Sequence, residues 1–258
     1  MKRILIFYAL ILDCILAAGL FLYFGLDWYW ILIPFLILIL ITGFFAWKIQ
    51  LNIFVDSIHK GNPTEFQIAL SFDDGPNPVY TPQILDLLEK YNAKASFFLI
   101  GKQAEKYPHL VQRIWDEKHC IGNHSFTHAN TIGFKSQAGW IKEINSTNEI
   151  LKKIIGKQPR FFRPPFGITT PHLRGALART QMVSIGWSHR TYDTIVQNVD
   201  GMYQKILQDL QPGIIILMHD SHERILPLLE QLLPELARRN VKFVTVNELI
   251  NEEPYHEI

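Results

Sequence analysis

The chain has 258 residues, and its 25 lysines and arginines against 24 aspartates and glutamates give a formal charge of only +1. This balance gives no indication of the basic field that nucleic-acid-binding proteins use, so we predict no nucleic-acid partner. The chain has two cysteines, Cys14 and Cys120, and neither belongs to a C-x-x-C pair, so we expect a packed core rather than a disulfide framework.

The N-terminal fifth of the chain is almost entirely apolar. Residues 4–26 are apolar apart from Asp13, and residues 30–47 carry no charge. As helices, both runs would be long enough to cross about 30 Å of hydrocarbon. The pattern predicts two transmembrane helices in a hairpin, with a signal peptide followed by a buried helix as the alternative.

The hairpin sets the predicted organisation of the chain. We predict a transmembrane anchor in residues 1–50 and a linker in residues 51–64, which makes the protein a multi-pass protein of the cell membrane with membrane lipid as a partner. Basic residues flank both ends of the hairpin and none lies in its turn. The positive-inside rule then favours a cytoplasmic second domain.

From residue 65 onward, short β-rich runs alternate with helical patterns. The pattern indicates βα units and therefore an α/β fold with a parallel sheet, either a closed or nearly closed barrel or a doubly wound open sheet. In residues 137–155, the third predicted helix, apolar residues at helical spacing place Glu143 on the surface. In both folds ligands bind at the carboxyl ends of the strands. The predicted strands are residues 66–72, 95–100, 119–123, 160–163, 182–187, 214–218 and 242–246.

Two adjacent carboxylates, Asp73 and Asp74, follow the first of these strands, before Gly75 and Pro76. Because adjacent carboxylates repel each other, the pair favours a cation bound by one of them, with the other free to act as a base. An acidic β-turn has the same composition and is the alternative.

Two histidines, His124 and His128, follow the third strand four residues apart. Imidazoles at this spacing can bind one metal ion from a helical turn or a tight loop. Together with Asp74 they give two imidazoles and one carboxylate, a common ligand set of catalytic zinc.

Three more strands also end in polar residues. Arg163 precedes two prolines, Asp193 follows the fifth strand, and His219 ends the sixth. Five strand ends therefore bring titratable groups to one edge of the sheet, which indicates an active site. The other histidines are predicted to be structural or on the surface: His59, His109, His119, His172, His189, His222 and His256.

These segments resemble the motifs of the polysaccharide deacetylases, the NodB-homology family of carbohydrate esterases. The resemblance covers roughly residues 65–250 and is carried by residues 71–76, 124–128, 163–167 and 217–219. It implies a distorted (β/α) barrel, often with seven strands. It also implies removal of N-acetyl groups from carbohydrates.

The resemblance implies a role for each motif residue. It makes one divalent metal, usually zinc, the cofactor, bound by Asp74, His124 and His128. The base, its orienting residue, the acid and the carboxylate that holds the acid would be Asp73, Arg163, His219 and Asp193. The substrate-binding residues would be Pro165, Phe166 and Leu217.

The chemistry of amide hydrolysis agrees with these roles. A metal activates a water and polarises the carbonyl, and Asp73 would take the proton from that water. The backbone amide of Phe166 would stabilise the oxyanion, and His219 would protonate the departing nitrogen.

The fourth motif departs from the family pattern. Arg190 and Thr194 stand where an aspartate and a tryptophan are usual, so the groove wall that the tryptophan supplies is not expected here. We add Arg190 to the substrate-binding residues as a contact for an anionic group, such as a phosphate on a lipid-linked sugar. A surface salt bridge is the alternative for Arg190.

We therefore predict that residues 65–258 form a deacetylase domain acting on N-acetylated amino sugars of the cell envelope, in peptidoglycan or a lipid-linked saccharide. A metal-dependent phosphoester hydrolase is one alternative, although such enzymes usually need two metals. A non-catalytic sugar-binding membrane protein is the other. The family resemblance favours an extracytoplasmic domain, so the side of the membrane stays open, as does the oligomeric state.

Overall fold

The computed structural model of the chain describes residues 2–25 and 27–257. Its strands are β1 Ser57–Ile58, β2 Gln67–Asp73, β3 Ala95–Leu99, β4 Cys120–Asn123, β5 Phe161–Phe162, β6 Val183–Ile185, β7 His189–Arg190, β8 Ile215–His219 and β9 Lys242–Val244. Its α-helices are α1 Lys2–Tyr23, α2 Leu32–Trp47, α3 Tyr80–Lys90, α4 Gly101–Lys106, α5 Pro108–Asp116, α6 Gln137–Ile155, α7 Pro171–Thr180, α8 Val199–Asp209, α9 Ile225–Arg238 and α10 Val246–Ile250.

Within these residues the strands form one nine-stranded sheet in the order β1-β6-β5-β4-β3-β2-β8-β7, with β9 also paired to β2. Every strand pair is parallel. The order begins at β1 and ends at β7, so the sheet curls as a half-barrel rather than closing. The predicted α/β fold with a parallel sheet is confirmed, and β1 and β7 are the two strands beyond the predicted seven.

The central strands are buried on both faces, as a parallel sheet covered by helices requires. Every residue of β3 and β8 is buried. On one side α9 buries a leucine stripe at helical spacing, which includes Leu229, Leu232 and Leu236. Fully burying one such side chain stabilises the fold by about 1.5–3 kcal/mol. The core therefore fixes the strand ends that carry the polar residues.

Within residues 2–25 and 27–257, the apolar N-terminal runs do not form membrane spans. A 3₁₀ turn at Trp28–Ile31 takes up the start of the second run, so that α2 has only 16 residues. At about 1.5 Å per residue such a helix is shorter than the roughly 30 Å of a hydrocarbon core. In α1 an exposed Asp13 interrupts the apolar sequence.

Among the residues described, no helix combines the length and the apolar character needed to cross a bilayer. The prediction of two transmembrane helices and of a multi-pass membrane location is therefore wrong, and the predicted membrane-lipid partner is not supported.

The N-terminal segment instead contacts the rest of the molecule. Phe7 of α1 is buried, and its ring centre lies 4.9 Å from that of Phe54. In the segment 51–64, predicted as a linker, β1 pairs with β6 and the Gly61 amide donates to the Gly213 carbonyl at 2.8 Å. This segment is thus hydrogen-bonded into the sheet.

Candidate active site

The carboxyl ends of the parallel strands meet around one cavity of about 230 Å³. Three further predicted residues are buried in the surrounding structure: Pro165, Arg163 and Asp193. The predicted side chains that line the cavity are Asp73, Asp74, His124, His128, Phe166, Arg190, Leu217 and His219.

Asp74, His124 and His128 form a cluster that fits a metal ion. Oδ1 of Asp74 lies 3.5 Å from Nε2 of His124 and 3.3 Å from Nε2 of His128. That oxygen is buried and accepts no hydrogen bond within the described part of the chain. A carboxylate and two imidazoles with their ligand atoms so close suit a divalent ion with an open position.

The electrostatics of the cluster keep it ready for a cation. Burial alone would raise the pKa of Asp74, but the nearby histidines, His124 foremost, lower it well below its ordinary value. Burial and the neighbouring His124 lower the pKa of His128 to about 4. At neutral pH the carboxylate is therefore ionised and the His128 imidazole is neutral, as metal ligation requires.

The orientation of His124 follows from its other ring nitrogen. Nδ1 lies 2.7 Å from the carbonyl oxygen of Arg163, which can only accept, so Nδ1 carries the proton. The lone pair of Nε2 then points towards Asp74. Hydrogen bonds of this kind fix the tautomer of metal-binding histidines.

Several site residues adopt backbone angles that are uncommon for residues with a side chain. The φ angles of Asp74, His128 and Phe166 are 77°, 48° and 58°. Such conformations are sparsely populated outside glycine, and they concentrate at functional sites. The surrounding packing therefore holds these three loops in shapes that local preference would not select.

Glu143 of α6 holds the loop that carries the two histidines. Its carboxylate accepts the backbone N–H groups of Phe126 and Thr127 at 2.9 and 2.8 Å, and the Thr127 hydroxyl at 2.8 Å. The residue is only 5% exposed, so the prediction that it lies on the surface is wrong. Burial would raise the pKa of Glu143, but the hydrogen bonds from Thr127 and the charge of Lys135 lower it.

Arg163 fixes the orientation of Asp73 from inside the protein. It is fully buried, and its Nη1 donates to Oδ1 of Asp73 at 2.7 Å and to the Ser71 hydroxyl at 2.9 Å. Removing one partner of such a buried ion pair costs about 3–5 kcal/mol. The second carboxylate oxygen of Asp73 lies 3.7 Å from Nε2 of His124, beside the metal cluster.

His219 and Asp193 form a second buried pair. Nδ1 of His219 donates to Oδ1 of Asp193 at 2.8 Å, and its backbone N–H donates to Oδ2 at 2.7 Å. Burial would lower the pKa of His219, but the Asp193 carboxylate raises it above the ordinary value. Since Nδ1 is engaged, Nε2 is the nitrogen of His219 that remains for the cavity.

The apolar wall of the cavity includes a tryptophan to which the sequence assigned no role. Trp187 and Leu217 both line the cavity. A Cβ at Gly167 would lie 2.6 Å from Cη2 of Trp187, so only glycine permits this approach. His222, predicted to be structural or on the surface, also lines the cavity.

A family model described as polysaccharide deacetylase matches residues 60–185. A peptidoglycan-N-acetylglucosamine deacetylase of Bacillus cereus is 37% identical over 192 residues, which are 72% of this chain and 69% of that protein. The chain belongs to the polysaccharide deacetylase family. The resemblance predicted from the motifs is therefore confirmed.

Other relatives of this polysaccharide deacetylase are named for N-acetylmuramic acid or for N-acetylglucosamine of peptidoglycan. The peptidoglycan-N-acetylmuramic acid deacetylase PdaA of Bacillus subtilis is 31% identical, over 79% of this chain and 80% of that protein. A crystal structure of a peptidoglycan N-acetylglucosamine deacetylase with 4-naphthalen-1-yl-N-oxidanyl-benzamide matches with a TM-score of 0.72 and 32% identity, over 77% of this chain and 94% of that one. These relatives confirm the predicted enzyme class, a carbohydrate N-deacetylase.

Proposed function

We propose that the chain hydrolyses N-acetyl groups of amino sugars in peptidoglycan, with one divalent metal, zinc, as its cofactor. The single observation that carries this proposal is the composition of the cavity. The ligand cluster of Asp74, His124 and His128 shares one small cavity with a carboxylate, Asp73, and an imidazole, His219. The names of the relatives support peptidoglycan as the substrate.

The metal would be held by Oδ1 of Asp74 and the Nε2 atoms of the two histidines. Bound there, zinc would lower the pKa of a water and polarise the acetyl carbonyl as a Lewis acid. The tight loops, and the Arg163 carbonyl that accepts from Nδ1 of His124, would hold these side chains in position for the metal.

Asp73 is the proposed general base. Arg163 holds Oδ1, so Oδ2 is the oxygen on the side of the ligand cluster. From that position Oδ2 would accept the proton of the attacking water. Arg163 keeps the carboxylate at one angle through its own buried hydrogen bonds.

His219 is the proposed general acid. Asp193 raises the pKa of His219, which favours the protonated imidazole, and its carboxylate holds Nδ1. Nε2 would then give its proton to the sugar nitrogen as the carbon–nitrogen bond breaks. The net reaction consumes one water and releases acetate and a free amine.

The remaining residues position the acetyl group. Leu217 and Trp187 give the cavity an apolar wall against which the acetyl methyl group would pack. We assign the backbone N–H of Phe166 to the developing oxyanion, with Pro165 stiffening its loop. The Phe166 ring is 40% exposed and its centre lies 4.5 Å from that of His128, where it would border the bound sugar.

The test is Asp73→Asn, with zinc-loaded enzyme and a panel of N-acetylated glycans that includes peptidoglycan fragments. We expect acetate release to fall by about 10²–10⁴-fold, the usual contribution of a general base. Zinc content, measured by mass spectrometry, should not change, because Asp73 is not a ligand.

Asp56→Asn is the matched control, since it removes an exposed carboxylate outside the cavity. Full activity in Asp73→Asn would rule out the assigned base. A wild-type enzyme that releases no acetate from any glycan of the panel would rule out the proposed function itself.

A further inference from the structure

A second, larger cavity of about 640 Å³ adjoins the catalytic one. The two cavities share Trp187 and Arg190 in their walls. The second volume lies within the range of small-molecule sites. A glycan whose acetyl group enters the catalytic cavity would therefore place another of its groups, or a neighbouring sugar, in the second.

The shared cation, Arg190, has an unmet hydrogen-bonding capacity. Its Nε is buried and has no hydrogen-bond partner within residues 2–25 and 27–257. Its guanidinium carbon lies 5.7 Å from the ring centre of Trp187 and 5.0 Å from that of Tyr192. Ring contacts of this kind favour the cation and fix its plane, but they leave the Nε–H donor unsatisfied.

The other charges of the second cavity leave it positive. Asp209 is the acidic residue of its wall, and that carboxylate already binds Lys205 at 3.0 Å and His189 at 3.1 Å. Lys48 adds a further positive charge to the wall, with its Nζ 5.7 Å from the centre of the Trp47 ring. Arg190 and Lys48 thus set the sign of the charge that this cavity favours.

We propose that the second cavity is a subsite for an oxyanion carried by the glycan, a carboxylate or a phosphate, with Arg190 as its ligand. This inference rests on the proposed deacetylase function. A planar guanidinium matches both oxyanions with two parallel N–H···O bonds. An oxyanion also satisfies donors that are costly to leave buried and unpaired. Because its ligand is a cation, the subsite favours acidic sugars over neutral ones. Among amino sugars, muramic acid carries a carboxylate that glucosamine lacks.

A neutral sugar stacked on the rings of Trp187 and Tyr192 is the competing occupant of this cavity. In that case Arg190 would act only through its contact with the rings. Charge then would not matter, and Arg190→Gln would affect neutral and acidic substrates alike. The two occupants therefore differ in selectivity rather than in total activity.

The experiment measures kcat/KM for zinc-loaded enzyme on three substrates of equal length. These are a neutral N-acetylglucosamine oligosaccharide, one that alternates with N-acetylmuramic acid, and one that carries a phosphate monoester. We expect wild type to prefer an anionic substrate, and Arg190→Gln to lower the anionic-to-neutral ratio about tenfold, the size of one charge-assisted hydrogen bond. Arg190→Lys should keep part of the preference.

Lys153→Gln is the charge-matched control, because Lys153 is exposed and outside both cavities. Its ratio should equal that of wild type. In wild type, a higher kcat/KM ratio for the muramic acid substrate indicates a carboxylate subsite, and a higher ratio for the phosphate monoester indicates a phosphate subsite. An unchanged ratio in Arg190→Gln would overturn the subsite while leaving the deacetylase function intact.

If the enzyme releases no acetate, equilibrium binding still tests the oxyanion subsite separately from the deacetylase function. Calorimetric titration of wild type and Arg190→Gln with the neutral and acidic oligosaccharides gives the same ratio from dissociation constants. We expect a loss of about tenfold for the acidic ligand relative to the neutral one. Equal losses for both ligands would contradict the subsite whether or not the chain is a deacetylase.

Discussion

His219 shows how one buried neighbour reverses the direction in which burial shifts a pKa. Burial on its own would lower the pKa of this imidazole, and the Asp193 carboxylate reverses the direction. The pair is anchored twice, because Asp193 also accepts the backbone N–H of His219 at 2.7 Å. The proposed role of His219 as an acid therefore depends on a residue that does not line the cavity.

We expect Asp193→Asn to move the pH dependence of the reaction. Without the carboxylate, burial remains as the main influence and the pKa of His219 falls. Since the acid acts in its protonated form, the alkaline limb of kcat/KM against pH should shift to lower pH, and the rate at neutral pH should fall by about 10²-fold or more. A pH–rate profile for both enzymes measures the shift, and an unmoved alkaline limb would contradict the assignment of His219.

At the residue scale, the motif residues could be predicted because they follow strands. Carboxyl ends of neighbouring parallel strands meet at one edge, so Asp73 and His219 had to lie near each other once β2 and β8 pair. Trp187 also ends a predicted strand, but it carries no titratable group, and its approach to the cavity depends on the missing Cβ of Gly167. That contact joins two loops and leaves no local pattern.

Helix α6 holds the histidine loop, residues 124–128, through Glu143. Three donors of the loop converge on its carboxylate. We expect Glu143→Gln to weaken zinc binding about 10–100-fold, as outer-shell substitutions do. The free energy of unfolding should fall by about 1–3 kcal/mol, because buried donors lose their partner. Competition with a chelator and urea denaturation measure the two effects.

Glu149→Gln is the matched control, on the same helix but exposed, and should change neither quantity.

The pH dependence of stability gives a second test of Glu143. The folded-state pKa of Glu143 is lowered, so its stabilisation is present above the unfolded-state pKa and is lost as pH falls through the folded value. The stability gap between wild type and Glu143→Gln should therefore close in acid below about pH 4. A gap that stays constant there would contradict this role.

The strands that the sequence missed are among the shortest. β1 and β7 have two residues each, too few for an alternating pattern to be recognised, whereas the equally short β5 lies inside the predicted strand of residues 160–163. The 3₁₀ turn at Trp28–Ile31 could not be predicted either, because the same apolar sequence is compatible with a 3₁₀ turn and with an α-helix. Sheet pairing and tertiary packing, rather than local preference, determine these elements.

At the scale of the whole molecule, the N-terminal segment completes a second hydrophobic core. Phe54 and Val55 pack in one cluster with Trp140 of α6 and Leu173 of α7. The adjoining β1 extends the sheet by pairing with β6. The boundary predicted at residue 65 stays a prediction, and these contacts give a direct way to test it.

Phe54→Ala should destabilise the fold, although residue 54 lies outside the predicted domain 65–258. Its side chain is 1% exposed and its ring meets Phe7 edge-on, so truncation leaves a cavity that costs about 3–5 kcal/mol. Urea denaturation followed by circular dichroism measures this loss. The control is Phe134→Ala, which removes the same ring from a site that is 92% exposed and should change the free energy of unfolding by less than about 0.5 kcal/mol. If residues 51–64 were only a linker, both variants would unfold at the urea concentration of wild type. A loss of stability confined to Phe54→Ala would place the start of the cooperative unit before residue 54.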